Sequence, residues 1–395
     1  MQAIGIVLIM LLAVVLSRFV ARITRLPAPL VQIALGAGIY YAQLEAVTLD
    51  PQVFFLLLLP PLLFLDGWRI PKDDLFRDAP TIARLALGLV VFTVLGVGWM
   101  VHLLIPAMPL SVAFALAAAV SPTDAIAVSA IAARTPLPLR MRRILEGESL
   151  FNDASGLVCM RFAVAATLTG SFALGSALAS FAWVAAAGLA VGFGATWLVT
   201  RAQSWSTQRL GAPDDAGGGA QILMSLLIPF GVYLLAEQVH ASGILAAVAA
   251  GIAMGMAPHT HWQAITRIRR NAVWDMLQFA ANGAVFVLLG EQIPAIVAAA
   301  PKTVLLTGHS NPWWLGAYVL LIVLALAVLR FAWVWVSIKA AFSGSTLAGD
   351  TPPSSHGRLV LAMSLAGVRG AITLAGVLTL PAMMGPLARS AHRPA

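Results

Sequence analysis

The run Gly147-Glu148-Ser149-Leu150-Phe151-Asn152-Asp153-Ala154 holds two carboxylates, a hydroxyl and an amide, and it leads straight into an apolar stretch, Leu157 to Leu168. An ionisable group at membrane depth costs several kcal/mol, roughly 2.5–3.5 on insertion scales, and by default it marks a functional site. The chemistry open to such a set is capture of a hard cation by oxygen donors, or of a proton by the same carboxylate. Burial disfavours the bare carboxylate until one or the other neutralises it, so Asp153 is where a cation and a proton would compete. Ser149, Asn152, Asp153 and Gly156 fall at i, i+3, i+4 and i+7, one face of a helix, with Glu148 beside Asn152 at i+4.

Two other segments carry polar groups into apolar runs. In Val120-Ser121-Pro122-Thr123-Asp124 the proline removes a backbone donor and clashes with the preceding turn. The freed carbonyls, with Thr123 and Asp124, make an oxygen-rich patch suited to a hard cation; a plain kink would not need Asp124. In Gly367-Val368-Arg369-Gly370 a guanidinium stands mid-span between two glycines, placed to neutralise Asp124 or Glu148 or to meet the end of a broken helix. Two interrupted spans in corresponding positions of two halves point to a transporter's midplane site. By rise per residue Asp153 lies ~14 Å deep, a depth shared with Asp124 and Arg369.

Weaker candidates surround these. Arg161 lies ~12 Å beyond Asp153 and turned by roughly 80°, so it cannot pair with it directly; a structural partner on another span and a functional role are both open. Asp66 ends an apolar run, as an ordinary interfacial carboxylate or as part of a funnel that attracts cations. Asn282 is suited to bonding across helices, and the lone thiol, Cys159, reads as packing.

The elements that must position these residues are membrane helices. The 395-residue chain is 60% hydrophobic and only 10% charged, outside the range of soluble domains. Apolar runs long enough to cross ~30 Å of hydrocarbon recur along it. We place twelve spans at about 3–20, 28–45, 50–66, 85–106, 111–133, 146–168, 176–199, 220–237, 240–257, 273–298, 313–336 and 358–381. The first has neither the flanks nor the cleavage pattern of a signal peptide. Of 24 Lys and Arg, eighteen fall in or beside alternate loops, three in the others and three (Arg161, Arg330, Arg369) within spans. That asymmetry puts the N-terminus outside and explains the net charge of +8 without nucleic acid. The polar links are too short for a soluble domain, so residues 1–395 read as one transmembrane domain: a first half over about 1–170, a connecting span at about 176–199 and a second half over about 220–381.

These motifs resemble the monovalent cation:proton antiporter-1 family, which contains bacterial and mammalian sodium/proton exchangers. The resemblance runs over nearly the whole chain. It rests on Leu59-Pro60-Pro61-Leu62-Leu63-Phe64, Thr123-Asp124, Gly147 to Asp153, Phe279-Ala280-Ala281-Asn282 with Phe286 and Gly290, and Arg369-Gly370. It implies an all-α, inverted-repeat antiporter bundle with two broken helices, in which Asp153 binds Na⁺, as a transient substrate, and H⁺ in turn. Ser149 and the backbone at Thr123 would add ligands; Asn152, Thr123 and Glu148 would hold the site together, and Arg369 would pair with Glu148. An Asn-Asp pair, where a related family has Asp-Asp, implies electroneutral one-for-one exchange. The resemblance further implies a homodimer in the inner (plasma) membrane, with Na⁺, Li⁺ or K⁺ and H⁺ as substrates and no cofactor.

The chain departs from the family pattern twice. Leu65, followed by Asp66, stands where the family usually has Glu, and the polar stretch from Ala382 to Ala395 does not form the thirteenth span that completes the second repeat. A transport-inactive form lacking its last core helix is therefore an alternative to the antiporter, and a passive cation channel is a third. A membrane enzyme is not indicated: the sequence has no His-Glu-x-x-His, no phosphate loop and no Ser/His/Asp set at one depth.

Overall fold

A chain in hydrocarbon must satisfy its backbone groups internally, so continuous apolar runs become helices. In the computed structural model this holds throughout: the described residues are 2–42, 51–123, 139–169, 174–210, 218–257, 264–305, 309, 311–343, 356–365 and 367, and no strand occurs among them. The helices are α1 (Gln2–Thr24), α2 (Ala28–Tyr41), α3 (Pro51–Arg69), α4 (Lys72–Arg77), α5 (Ala79–Leu104) and α6 (Leu110–Val120). They continue with α7 (Leu139–Thr169), α8 (Leu174–Leu210), α9 (Gly219–Gln238), α10 (Gly243–Met256), α11 (Ala264–Leu305), α12 (Trp313–Ser343) and α13 (His356–Leu365).

Among the described residues, six helices are both long and apolar enough to cross a membrane: α1, α5, α8, α9, α11 and α12. Helix α7 is not one of them, because Glu148, Asp153 and Arg161 run through it. Several helices overrun the spans placed on the sequence: α7 starts at Leu139, and α11 reaches 42 residues. Their polar ends continue the helix past the apolar stretch.

The helices group into two units. The first comprises Met1–Phe54, Pro213–Leu223 and Trp262–Ala317, and so contains α1, α2 and α11. Here α2 and α11 meet backbone to backbone: a methyl added at Gly36 would fall 2.0 Å from the Val287 carbonyl oxygen, and one at Gly290 would fall 2.0 Å from that of Ile33. Small residues permit this approach, on which helix association in lipid depends. Val14 of α1 packs against Gly283, Ser17 Oγ accepts from Gln32 Nε2 at 3.2 Å, and the Arg18 guanidinium lies 4.5 Å over the Phe279 ring. Gly290→Ala is expected to destabilise the protein by about 1–3 kcal/mol, the usual cost of overpacking. Gly38→Ala, with nothing within 4 Å of the added methyl, serves as the silent control in a thermal unfolding scan.

The second unit comprises Phe55–Ala212, Met224–His261 and Tyr318–Ala395. At its heart is α10, buried at every position from Gly243 to Met254. Such a helix must be small and apolar all round. It lies against α8, where a methyl at Gly192 would be 2.0 Å from the Ala246 oxygen, and against α3, where one at Gly251 would be 2.0 Å from the Phe64 oxygen. Val97 and Val101 of α5, Ala113 and Ala117 of α6 and Leu326 of α12 form a second core.

Candidate functional site

Helix α6 stops at Val120, and Ser121, Pro122 and Thr123 are not helical. The helix thus ends just before Pro122; the residues that follow Thr123, up to 138, lie outside the described ones. The backbone freed there is taken up by α7. Thr123 donates its N–H to Asn152 Oδ1 at 3.1 Å, Asn152 Nδ2 donates to Thr123 Oγ1 at 2.8 Å, and Ser149 Oγ donates to the Thr123 carbonyl. Gly156 completes the fit, since a methyl there would fall 2.6 Å from Pro122 Cγ. Thus the face marked by Ser149, Asn152 and Gly156 is the one that receives the broken segment. Thr123, Ser149 and Asn152 are buried, and Asp153, next along α7, is only 8% exposed.

Two further devices fix α7. Residues Arg84–Gly88 of α5 form a π turn, a feature frequent near functional sites. Its Ala86 carbonyl accepts from Ser155 Oγ of α7 at 3.1 Å, and its Arg84 carbonyl accepts from Trp333 Nε1 at 3.1 Å. At the start of α7, Arg140 pairs with Asp78 at 2.7 Å and Arg143 pairs with Asp74 of α4. Burial pushes the Asp78 carboxyl up, but the Arg140 and Arg77 guanidiniums outweigh this and hold it below the ordinary carboxylate range. Lys72 donates to the carbonyls of Gly67, Trp68 and Ile70, capping α3; burial draws its ammonium down to about 8.

Glu148 is buried and bidentate to Arg330 of α12, with Nη1–Oε1 at 2.6 Å and Nη2–Oε2 at 3.1 Å. Arg330 Nε also donates to the Met363 carbonyl of α13 at 3.3 Å, and its Cδ would be 2.4 Å from a methyl at Gly367. The family pattern assigned the guanidinium on Glu148 to Arg369; the one found there belongs to Arg330. Arg369 itself, with Asp124, lies outside the described residues. Arg330 was given no role from the sequence, although an arginine within an apolar run of more than twenty residues was the available signal.

The remaining candidates are spread through the unit. Asp66 sits in the last turn of α3, beside the Gly67 that packs on α10. Arg161, in the second half of α7, pairs with Glu237 of α9 at 3.0 Å. What converges at Thr123 and at Asn152, one residue along α7 from Asp153, is a set of hydroxyl, carbonyl and amide oxygens, the donor class that suits hard cations.

The description "sodium/hydrogen exchanger, transmembrane" matches residues 7–390 of the chain. The chain is 42% identical over 387 residues to the "Uncharacterized Na(+)/H(+) exchanger YjcE" of Escherichia coli, covering 96% of this chain and 69% of that one. It is 40% identical to the "Sodium, potassium, lithium and rubidium/H(+) antiporter" of Bacillus pumilus, covering 93% of this chain and 53% of that one. The Bacillus subtilis protein of the same description is 39% identical, with 95% and 55% covered. The chain thus spans little more than half the length of both Bacillus relatives. In fold it is similar to the sodium proton antiporter MjNhaP1 from Methanocaldococcus jannaschii at pH 8, with a TM-score of 0.68 at 19% identity over 98% of this chain and 88% of that one. With its apolar helices and a match over nearly its whole length, this is a multi-pass membrane protein that belongs to the sodium/hydrogen exchanger family.

Proposed function

We propose that the protein exchanges a monovalent cation, Na⁺ and alternatively Li⁺ or K⁺, for H⁺ across the membrane, by competition at Asp153. The observation that carries this is the knot of Thr123, Ser149 and Asn152 beside a buried Asp153. Their mutual bonds leave lone pairs on Ser149 Oγ and the Thr123 carbonyl to meet a cation held by the Asp153 carboxylate. Asn152 and Glu148 act as supports: the first pins the broken segment, and the second is fully occupied by Arg330.

Charge counting favours electroneutral exchange. Glu148 and Arg330 cancel, and we assign Arg369 to balance Asp124. Asp153 then takes either one Na⁺ or one H⁺ in each half of the cycle. Only these neutral, loaded forms cross readily between the two faces, because moving a bare buried carboxylate through hydrocarbon is costly. One-for-one coupling follows, with alternating access around a midplane site. We assign the chain to the cell's inner (plasma) membrane as a homodimer, with its N-terminus outside and the Arg140–Arg143 end of α7 inside, following the Lys/Arg asymmetry.

Proteoliposomes with an imposed pH gradient test this directly. Added Na⁺, Li⁺ or K⁺ is expected to dissipate the gradient, with the apparent KM for the cation rising up to about tenfold per pH unit of acidification and the maximal rate little changed, the pattern of two ligands sharing one group. Clamping the membrane potential should leave the rate unaltered. A KM indifferent to pH would remove competition at a single carboxylate, and a potential-dependent rate would remove one-for-one exchange.

A further inference from the structure

The turn between α9 and α10 is recessed. Ser242 donates its N–H to the Val184 carbonyl at 3.1 Å, and Val184 lies ten residues into α8. Arg161, which meets Glu237 on the other side of the turn, lies eight residues before the end of α7. At 1.5 Å per residue these two helices overtop the turn by roughly 15 and 12 Å. The turn itself is tightly built. His240 takes a left-handed φ of 54°, Ala241 donates its N–H to the Ala236 carbonyl at 2.8 Å, and Ser242 Oγ caps α10 by accepting from Leu245. Glu237 sits at an unfavourable helix C-terminus, yet its Oε1 reaches the N-terminus of α10 and accepts the Gly243 N–H at 3.3 Å.

Two of the ion pairs on α7 are of opposite character. Glu148–Arg330, with side chains 1% and 3% exposed, is a permanent strut. Arg161–Glu237, at 40% and 34%, is far less enclosed and more easily parted. Arg161 also stands eight residues beyond Asp153, toward the far end of α7.

We propose that Arg161 and Glu237 form a latch that holds α7 against the α9–α10 turn, closes the approach to Asp153 from that end, and parts in each transport cycle. The proposal rests on the antiport assignment above. A latch that stabilises one of two alternating states shifts the populations of both, so releasing it must act oppositely at the two faces of the membrane.

The test uses the full chain, with Na⁺ as the probe, in proteoliposomes assayed from each face. Glu237→Gln keeps an acceptor for the Gly243 N–H and removes the charge. It is expected to tighten the apparent Na⁺ affinity at the Arg161 end by about two- to fivefold and to weaken it at the Arg140 end by a similar factor, the range set by a pair of this exposure. The exchanged pair Arg161→Glu with Glu237→Arg should return both values toward those of the unsubstituted chain. Equal changes at both faces, or a double substitution no better than the singles, would overturn the latch. If the unsubstituted chain moves no protons in response to Na⁺, the antiport assignment fails and the latch with it. Intact exchange without asymmetry counts against the latch alone.

Discussion

Asp153→Asn is expected to reduce cation-driven proton movement to the level of vesicles without the protein, while leaving the folded yield intact. The two side chains are isosteric, so the packing of α7 against α6 should survive. The amide binds neither a proton in this pH range nor, without its charge, a cation strongly enough to replace water. Both half-reactions fail together, which distinguishes this substitution from one that weakens a ligand. Removing a charge that is 8% exposed relieves a desolvation cost, so thermal stability should hold or rise. Asp153→Glu keeps the charge and displaces it by about one methylene, ~1.5 Å, so it should retain slow exchange with altered cation affinity. Wild-type rates in Asp153→Asn, measured by dissipation of a pH gradient, would move the exchanging carboxylate elsewhere.

The second large effect concerns stability. Glu148→Gln leaves the Arg330 guanidinium buried without its counter-charge, and Arg330→Met does the same to Glu148. Each is expected to cost about 3–5 kcal/mol, the usual result of breaking a buried pair. Replacing both, Glu148→Gln together with Arg330→Met, should recover much of that loss, because the desolvation of two ions disappears with them. Chemical unfolding of the three variants in one detergent gives the coupling between the positions. Additive losses would show that the pair, though only 2.6 Å apart, does not act as a unit.

Much of this was legible in the residues themselves. Pro122 signals its own break because a ring at that position cannot donate a helical hydrogen bond. The face Ser149, Asn152, Gly156 follows from helical periodicity alone, and the structure packs the broken segment on it. Which guanidinium meets Glu148 was not legible, because 182 residues separate Glu148 from Arg330 and spacing encodes no partner at that range. The π turn over Arg84–Gly88 was equally silent. Its two carbonyls are accommodated by Ser155 and Trp333, which belong to other helices, so its reason lies in the packing and not in the local sequence. The Asp78–Arg140 and Asp74–Arg143 pairs fall between these cases: the charges could be counted in the loops, but their pairing needed α4 to be seen against α7.

The distance along the chain between Glu148 and Arg330 also bears on how the protein is made. At roughly 5–20 residues per second, a gap of 182 residues holds the carboxylate back from its partner for roughly 10–40 s of synthesis. Asp74 and Asp78 precede Arg140 and Arg143, so the Arg140–Arg143 foot of α7 can be tied down as soon as it emerges. The middle of the helix has no such early partner in Arg330. Until α12 arrives, the Glu148 carboxylate has to wait for the Arg330 guanidinium, so the middle of α7 depends on shelter from lipid until the second half of the chain has been made.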